Sequence, residues 1–250
     1  MVSRIPAGRT IVFYESRSDY PGIAMKVKYI CFTLIMLLFS QAAVPQKKYR
    51  NGMGVKFDIR AGISLQNFFG KDFWGEELRN QFQPGFRAGA GVIIPIIPDF
   101  YLQTGILVHN KGSRQDTVAG SIKTTSLYYA EIPADLLFRP QLGDGHLLVG
   151  FGPYVGYGIF GRENIKTGNV TDRLRVKFID DASGRPTSFA YYRPLDAGAE
   201  IIVGYEMYGR VFLQIEAQMG MLEINPSYGL ANDKTSRRNI GFGFSGGYRF

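Results

Sequence analysis

The chain of 250 residues contains one cysteine, Cys31. A disulfide framework or a cysteine metal cluster within one chain is therefore excluded. Histidine is almost as scarce, with His109 and His146 the two in the sequence. Charged residues make up 20%, below the roughly 25% of soluble domains. No apolar run reaches the ~20 residues that a membrane-spanning helix needs. Acidic residues are outnumbered, 21 against 29 basic ones, for a formal charge of +8. Such a balance fits nucleic acid or anionic lipid as a partner. What the chain has in excess is glycine (31 residues) and aromatics (14%). At this length it makes one domain, or at most two.

The most apolar run is 30–39 (ICFTLIMLLF). Lys26 and Lys28 precede it, and Ser40, Gln41, Ala42 and Ala43 follow. A basic start, a short apolar centre and small residues at the end predict a secretory signal peptide over 25–43, with cleavage after Ala42 or Ala43. An N-terminal anchor is the other reading of this run. Met25 fits a true start better than Met1, so residues 1–24 read as a mis-assigned upstream extension. Cys31 opens the apolar run and is not placed as an acylated lipoprotein cysteine. For an exported chain of this kind nucleic acid is not an expected partner.

From Val55 onward the dominant period is two. Phe57, Ile59, Ala61, Ile63 and Leu65 alternate with Lys56, Asp58, Arg60, Gly62, Ser64 and Gln66. Strict alternation predicts a strand with two chemically different faces. The pattern recurs in 85–96, 100–109, 128–138, 147–159, 195–207, 211–221 and 240–250. These are eight strands, each near the 9–11 residues that cross a bilayer when tilted. The connections 66–84, 110–125, 161–194 and 225–238 are long. Those at 97–99, 140–145 and 208–209 are short. Long and short alternate without exception, as in barrels with short periplasmic turns and long external loops.

Alternation fits two solutions. A soluble lipocalin-like carrier turns its apolar face inward around a ligand. A membrane barrel turns it outward against lipid. Glycine separates them. The polar face carries Gly150, Gly152, Gly156, Gly158, Gly241, Gly243 and Gly247, and glycine weakens a water-facing strand. Crowding inside a narrow bore favours it. The same face carries Lys56, Arg60, Arg87, Arg139 and Arg249 against Asp58, Glu131, Asp135, Asp196, Glu200, Glu206 and Glu216. Buried charges need partners, so an interior charge network is expected, with Lys56, Asp58, Arg60, Arg87, Glu131, Asp135, Arg139, Glu200, Glu216 and Arg249 as its members. The expected fold is all-β: an eight-stranded, antiparallel, up-and-down transmembrane barrel occupying 54–250. Phe250 closes the last apolar face, where a terminal aromatic resembles the signal read by outer-membrane assembly machinery.

Several stretches resemble the PorT-like outer-membrane β-barrel proteins. They are Gly54-Val55-Lys56 through Gly62-Ile63-Ser64-Leu65, the run 85–91 (GFRAGAG), and Leu102-Gln103 through Lys111-Gly112. Tyr129-Ala130-Glu131-Ile132-Pro133 is similar to the family's Leu-Glu-Ile-Pro strand. The run 152–156 (GPYVG) and the ending 246–250 (GGYRF) are similar to its other motifs. The resemblance covers residues 54–250 and implies a barrel in the outer membrane. A link to secretion enters only through the family's namesake, and most members have no assigned role.

Chemistry is sparsely signalled, and no cofactor, metal ligand or catalytic residue is assigned. A lipid-A-modifying barrel enzyme would need a Ser-His pair with a carboxylate near the external rim. His109, expected at the external end of its strand with Ser113, Ser126 and Asp116 near it in sequence, is the one candidate. His146 falls at the periplasmic end. Glu131 and Asp135, with Arg139 below, read as a salt-bridge network, with a proton or ion relay as the sharper alternative. A narrow ion or solute pore follows if such a network rearranges. Pro133 and Pro153 predict bulges. The loop 161–194 carries Arg162, Lys166, Arg173, Arg175, Lys177, Arg185 and Arg193, suited to phosphate. Lipopolysaccharide would supply that phosphate at an outer face. The expected role is non-enzymatic: structural, or partner-binding through the external loops.

Overall fold

The computed structural model describes residues 54–117 and 120–250. The expected leader at 25–43 and the stretch 1–24 lie outside the described residues. Within the described residues there is no helix. The strands are β1 (Lys56–Lys71), β2 (Gln83–Ile97), β3 (Phe100–Asp116), β4 (Ile122–Phe138), β5 (Gln141–Leu142), β6 (Gly145–Thr167), β7 (Val170–Phe178), β8 (Phe189–Tyr192), β9 (Leu195–Glu206), β10 (Val211–Gly220) and β11 (Ser236–Arg249). All belong to one sheet.

Eight long strands carry the architecture, and each pairs antiparallel on both sides. The order is β1, β2, β3, β4, β6, β9, β10 and β11, with β11 pairing back onto β1. Ile59, for example, faces Ala90 of β2 on one side and Tyr248 of β11 on the other. A strand with partners on both sides has no row of unpaired N–H and C=O groups to satisfy. The remaining strands are additions: β5 makes a small hairpin with the start of β6, and β7 and β8 extend its far end.

The alternation decides which way each side chain points. Ile59, Ile63, Ile106, Phe151, Ile201 and Ile215 are exposed on the outer face. Arg60, Arg87, Gln103, Glu131, Glu200 and Glu216 are buried on the inner one. An arrangement with an apolar outside and a charged inside is the reverse of a soluble carrier.

Element boundaries differ from the expectation at one end. The segments 110–125 and 161–194 are not open loops. β3 runs on to Asp116 and pairs through Asp116↔Ile122. β6 has 23 residues, and its far half pairs with β7 through Arg162↔Arg175. The reason is that both faces are polar there, as in Asn110–Asp116. The amphipathic signal vanishes although the backbone ladder continues. The register shifts also differ from the expected sites. They fall at Tyr128/Tyr129 opposite Phe160/Gly158 and at Pro95/Ile97, not at Pro133 or Pro153.

Two apolar clusters cap the polar interior. Near the short turns lie Ile93, Tyr101, Leu137, Leu148 and Phe212. Near the long connections lie Phe68, Leu127, Tyr129, Ala190, Tyr192 and Ile224, with Leu174, Val176 and Phe178 of β7 packed against them. The bore is narrow at the first of these. A Cβ on Gly247 would strike the Phe212 ring and the Ile59 carbonyl. Gly247→Ala is therefore expected to cost about 1–3 kcal/mol through overpacking, read as a lowered midpoint of urea unfolding in detergent. Gly209→Ala, in a turn with open space around it, should leave that midpoint unchanged.

Candidate functional site

The interior polar cluster is built from inward residues of seven strands. On β2, Arg87 reaches three carboxylates: Glu216 at 2.8 Å, Glu200 at 2.9 Å and Glu131 at 3.1 Å. On β3, Lys111 bridges Glu131 at 2.8 Å and Asp196 at 2.9 Å, with its ammonium 4.0 Å from the Tyr154 ring centre. Amides and hydroxyls add further donors to the carboxylates. Gln218 Nε2 donates to Glu131 (2.8 Å) and Glu200 (2.7 Å). Asn239 donates to Asp196 at 2.8 Å, and Ser245 Oγ to Glu216 at 2.6 Å. Four carboxylates thus share two cations, all buried. Taking such ions out of water costs several kcal/mol each, offset only when every lone pair and proton is engaged.

A second group lies nearer the short turns. Arg139 makes a two-point contact with Glu206 at 2.7 and 2.8 Å, and Arg249 binds the same carboxylate. Arg60 and Asp58 pair at 2.8 Å. At the opposite end Lys123 pairs with Glu163 at 2.7 Å, and Tyr192 Oη donates to Glu163 at 3.1 Å.

Several expectations need correction. Glu131, Asp135 and Arg139 do not form one network. Residues four apart on one strand face are separated by about 13 Å, so partners come from across the interior. Asp135 and its cross-strand neighbour Gln103 are buried with no hydrogen-bond partner among the described residues. Lys56 is half-buried and makes no ion pair among the described residues. His109 is not at a rim. It is buried, 3.1 Å from Gln66 Nε2 and 3.5 Å from Glu131. His146 does sit by the short turns, against Arg139 at 3.1 Å. Lys111, Asp196 and Glu206 belong to the clusters although they are absent from the expected set. For Lys111 the signal was present: His109, Lys111 and Ser113 keep the parity of Gln103, but the strand was expected to stop at His109. Among the described residues no group of His, Cys, Asp and Glu is arranged to hold a metal ion.

The basic residues of 161–194 fall on an extended ribbon. The extra residue at Ile159 flips parity on β6. Before it, odd-numbered residues such as Tyr157 and Ile159 face outward; after it Phe160 and Arg162 do. Arg162 stands opposite Arg175 and over the Phe160 ring at 5.0 Å. Lys166, Arg173 and Lys177 are exposed on the same side. Arg185 lies in the following connection, exposed, and Arg193 is half-buried. Asp181 in that connection has its carboxyl held low by hydrogen bonds from the Ser183 hydroxyl and amide.

Comparison with protein-family models and with curated proteins finds no match. Among solved structures, the chain is similar to Ail, the attachment invasion locus protein of Yersinia pestis. The TM-score is 0.38 at 11% identity, over 79% of this chain and 100% of that one. It is similar to Neisserial surface protein A at TM-score 0.39 and 11% identity, over 79% and 99%. A further structure of Ail, in complex with the heparin analogue sucrose octasulfate, gives 0.38 at 10% identity, over 79% and 100%. Over its described residues the chain is all-β and strand-rich.

The Arg87 cluster generates a direct test. Arg87→Met leaves Glu131, Glu200 and Glu216 short of a cation. The expected loss is about 3–5 kcal/mol, the cost of a buried pair broken from one side, measured as a shift of the urea midpoint. A loss below about 1 kcal/mol would mean the charges are hydrated and not mutually held.

Proposed function

We propose that this chain is an eight-stranded outer-membrane barrel with a packed interior, acting without catalysis through the structure at its long-connection end. The observation that carries this is the inversion of polarity. Ile59, Ile63, Ile106, Phe151, Ile201 and Ile215 face outward, while Arg87 and Lys111 hold four carboxylates inside. Water would reverse that distribution, and lipid requires it.

Aromatic residues edge the outer apolar band. Phe86, Tyr128 and Phe160 form one row, with centroids 6.0 and 5.4 Å apart. Phe100 with Phe138, and Tyr248 with Phe250, lie toward the other end. Tyr128 and Phe138 are ten residues apart on β4, about 33 Å of strand. At a tilt of ~40° that is about 25 Å of height, the thickness of an outer-membrane apolar band. The terminal Phe250 is exposed, and its amide donates to the Phe57 carbonyl at 2.7 Å. Its outward position supports a role as an assembly signal. The motifs resembling PorT-like proteins support the same placement.

A packed interior favours a structural or binding role over a pore. The Arg87–Lys111 cluster lies between the two apolar clusters, and a cavity beside Gln66 and His109 measures about 10 Å³, room for one water. Burial of His109 on Gln66 argues against a lipid-A-modifying site. Above the aromatic row, Arg162, Arg173 and Arg175 face outward where lipopolysaccharide phosphates would lie. Two guanidinium groups directly opposite one another repel, and a phosphate between them removes the repulsion.

Two measurements test this. Expressed with a functional leader, the protein should fractionate with outer membranes and migrate faster unheated than heated, and should give no reproducible single-channel steps in planar bilayers. Recovery in the soluble periplasm would overturn the membrane placement, and regular conductance steps would overturn the packed interior. Separately, replacing Arg162, Arg173 and Arg175 together with Ser should reduce co-purifying lipopolysaccharide severalfold. Unchanged lipopolysaccharide would remove the phosphate role and leave the barrel reading intact.

A further inference from the structure

The connections at the long-connection end line a half-open cavity of about 340 Å³, at the small end of the range for ligand pockets. Its walls come from three parts of the chain: the far ends of β4 and β6, the segment from β7 to β8, and the connection from β10 to β11. Backbone hydrogen bonds tie these parts together. The Ala182 amide donates to the Ser227 carbonyl at 2.7 Å, Ser227 donates to Asp180 at 3.0 Å, and Arg193 donates to Ile224 at 2.7 Å. A parallel ladder joins β7 to β8 through Arg175↔Phe189 and Phe178↔Tyr192. The cavity is thus formed before any ligand arrives, which lowers the ordering cost of binding.

The lining has a definite chemistry. Tyr228 is exposed and gives a flat apolar face with a hydroxyl tip, while Tyr191 and Tyr192, also in the lining, are buried and brace it. Tyr191 is fixed by donating to the Pro186 carbonyl at 2.9 Å, and Tyr192 by its bond to Glu163. Tyr228 makes no side-chain hydrogen bond among the described residues, and its hydroxyl is pushed above the usual phenol range chiefly by burial. Lys123 is neutralised by Glu163 at 2.7 Å. Arg185 and Arg237 also line the cavity, and neither guanidinium has a carboxylate partner among the described residues. A half-buried guanidinium beside tyrosines, with no counter-charge of its own, is suited to an incoming anion.

The cavity does not open into the interior. Tyr192 belongs both to its wall and to the apolar cluster beneath, where Leu127, Tyr129 and Phe178 pack. The cavity is therefore a terminal site and not the mouth of a channel.

We propose that it is a binding site for a small acidic saccharide: a sugar ring stacked on Tyr228, its carboxylate or phosphate held by Arg237 and Arg185, its hydroxyls bonded by the Tyr228 phenol tip. Rings with C–H faces and hydroxyl edges suit a lining that mixes aromatic faces with polar tips. The charge on the ligand follows from the two unpartnered cations. Membrane placement plays no part in this test, because binding is measured on folded protein in detergent.

The probes are glucuronate, glucose and benzoate, titrated by saturation-transfer-difference NMR. Glucuronate should show saturable binding. Glucose, lacking the anion, and benzoate, lacking the hydroxyls, should each bind about tenfold more weakly, the scale of one charge-assisted contact. Arg237→Gln should weaken glucuronate about tenfold and leave the residual glucose signal unchanged. Arg185→Gln, in an exposed connection where folding is not at stake, should weaken glucuronate in the same direction. Faster migration of unheated samples verifies that both variants are folded. Absence of saturable binding, equal affinity for glucuronate and glucose, equal affinity for glucuronate and benzoate, or glucuronate binding that survives both substitutions would each overturn the proposal.

Discussion

The interior of this protein depends on Arg87. One guanidinium from β2 meets carboxylates from β4, β9 and β10, strands that lie on opposite sides of the ring of pairings. A planar fork with five donors can serve several acceptors in fixed directions. Lys111 continues the cluster toward Asp196, and the amides of Gln218 and Asn239 fill the remaining positions. Cross-strand hydrogen bonding joins neighbours only. These ion pairs are the contacts that join distant strands, so they fix the shape of the cross-section where the ladder by itself leaves it free.

The same constraint accounts for small residues around the cluster. Long polar side chains from many strands fill the bore only if others are absent. At Gly91 a Cβ would meet the Arg60 guanidinium, and at Gly241 the Gln66 amide. Gly91 and Gly241 are thus complements of particular side chains. Above and below the charges, apolar clusters seal the column.

At the long-connection end, continuing β-structure has functional consequences. The bulge at Ile159 turns the basic residues of β6 outward, beside those of β7. Without it, the parity of β6 would direct Arg162 and Lys166 inward. β7 meanwhile turns Leu174, Val176 and Phe178 in, onto the apolar cluster. One ribbon therefore lids the interior, presents a basic stripe outside and forms a wall of the tyrosine-lined cavity. The rigidity of the ladder makes these three roles compatible, because opposite faces of one strand are independent surfaces.

Much of the fold was legible in the residues because side-chain direction along a strand is a local property with period two. Phe57, Ile59 and Ile63 against Asp58, Arg60 and Ser64 sufficed to assign two faces, and inner-face glycines with outer-face isoleucines sufficed to say which was outside. The alternation of long and short connections indicated the up-and-down order. Pairing partners were not legible. Arg139 finds Glu206 rather than Asp135, His109 finds Gln66 rather than a serine, and Asp135 finds no hydrogen-bond partner among the described residues, because register and bore decide which inward residues meet, and both depend on all the strands together. Nor did alternation announce the extended ends of β3 and β6, where both faces are polar and the pattern is silent while the ladder continues. The sequence by itself determined the faces of the strands and their polarity. Only the tertiary structure decided which charges pair, which way the basic ribbon faces, and that the long connections line a common half-open cavity.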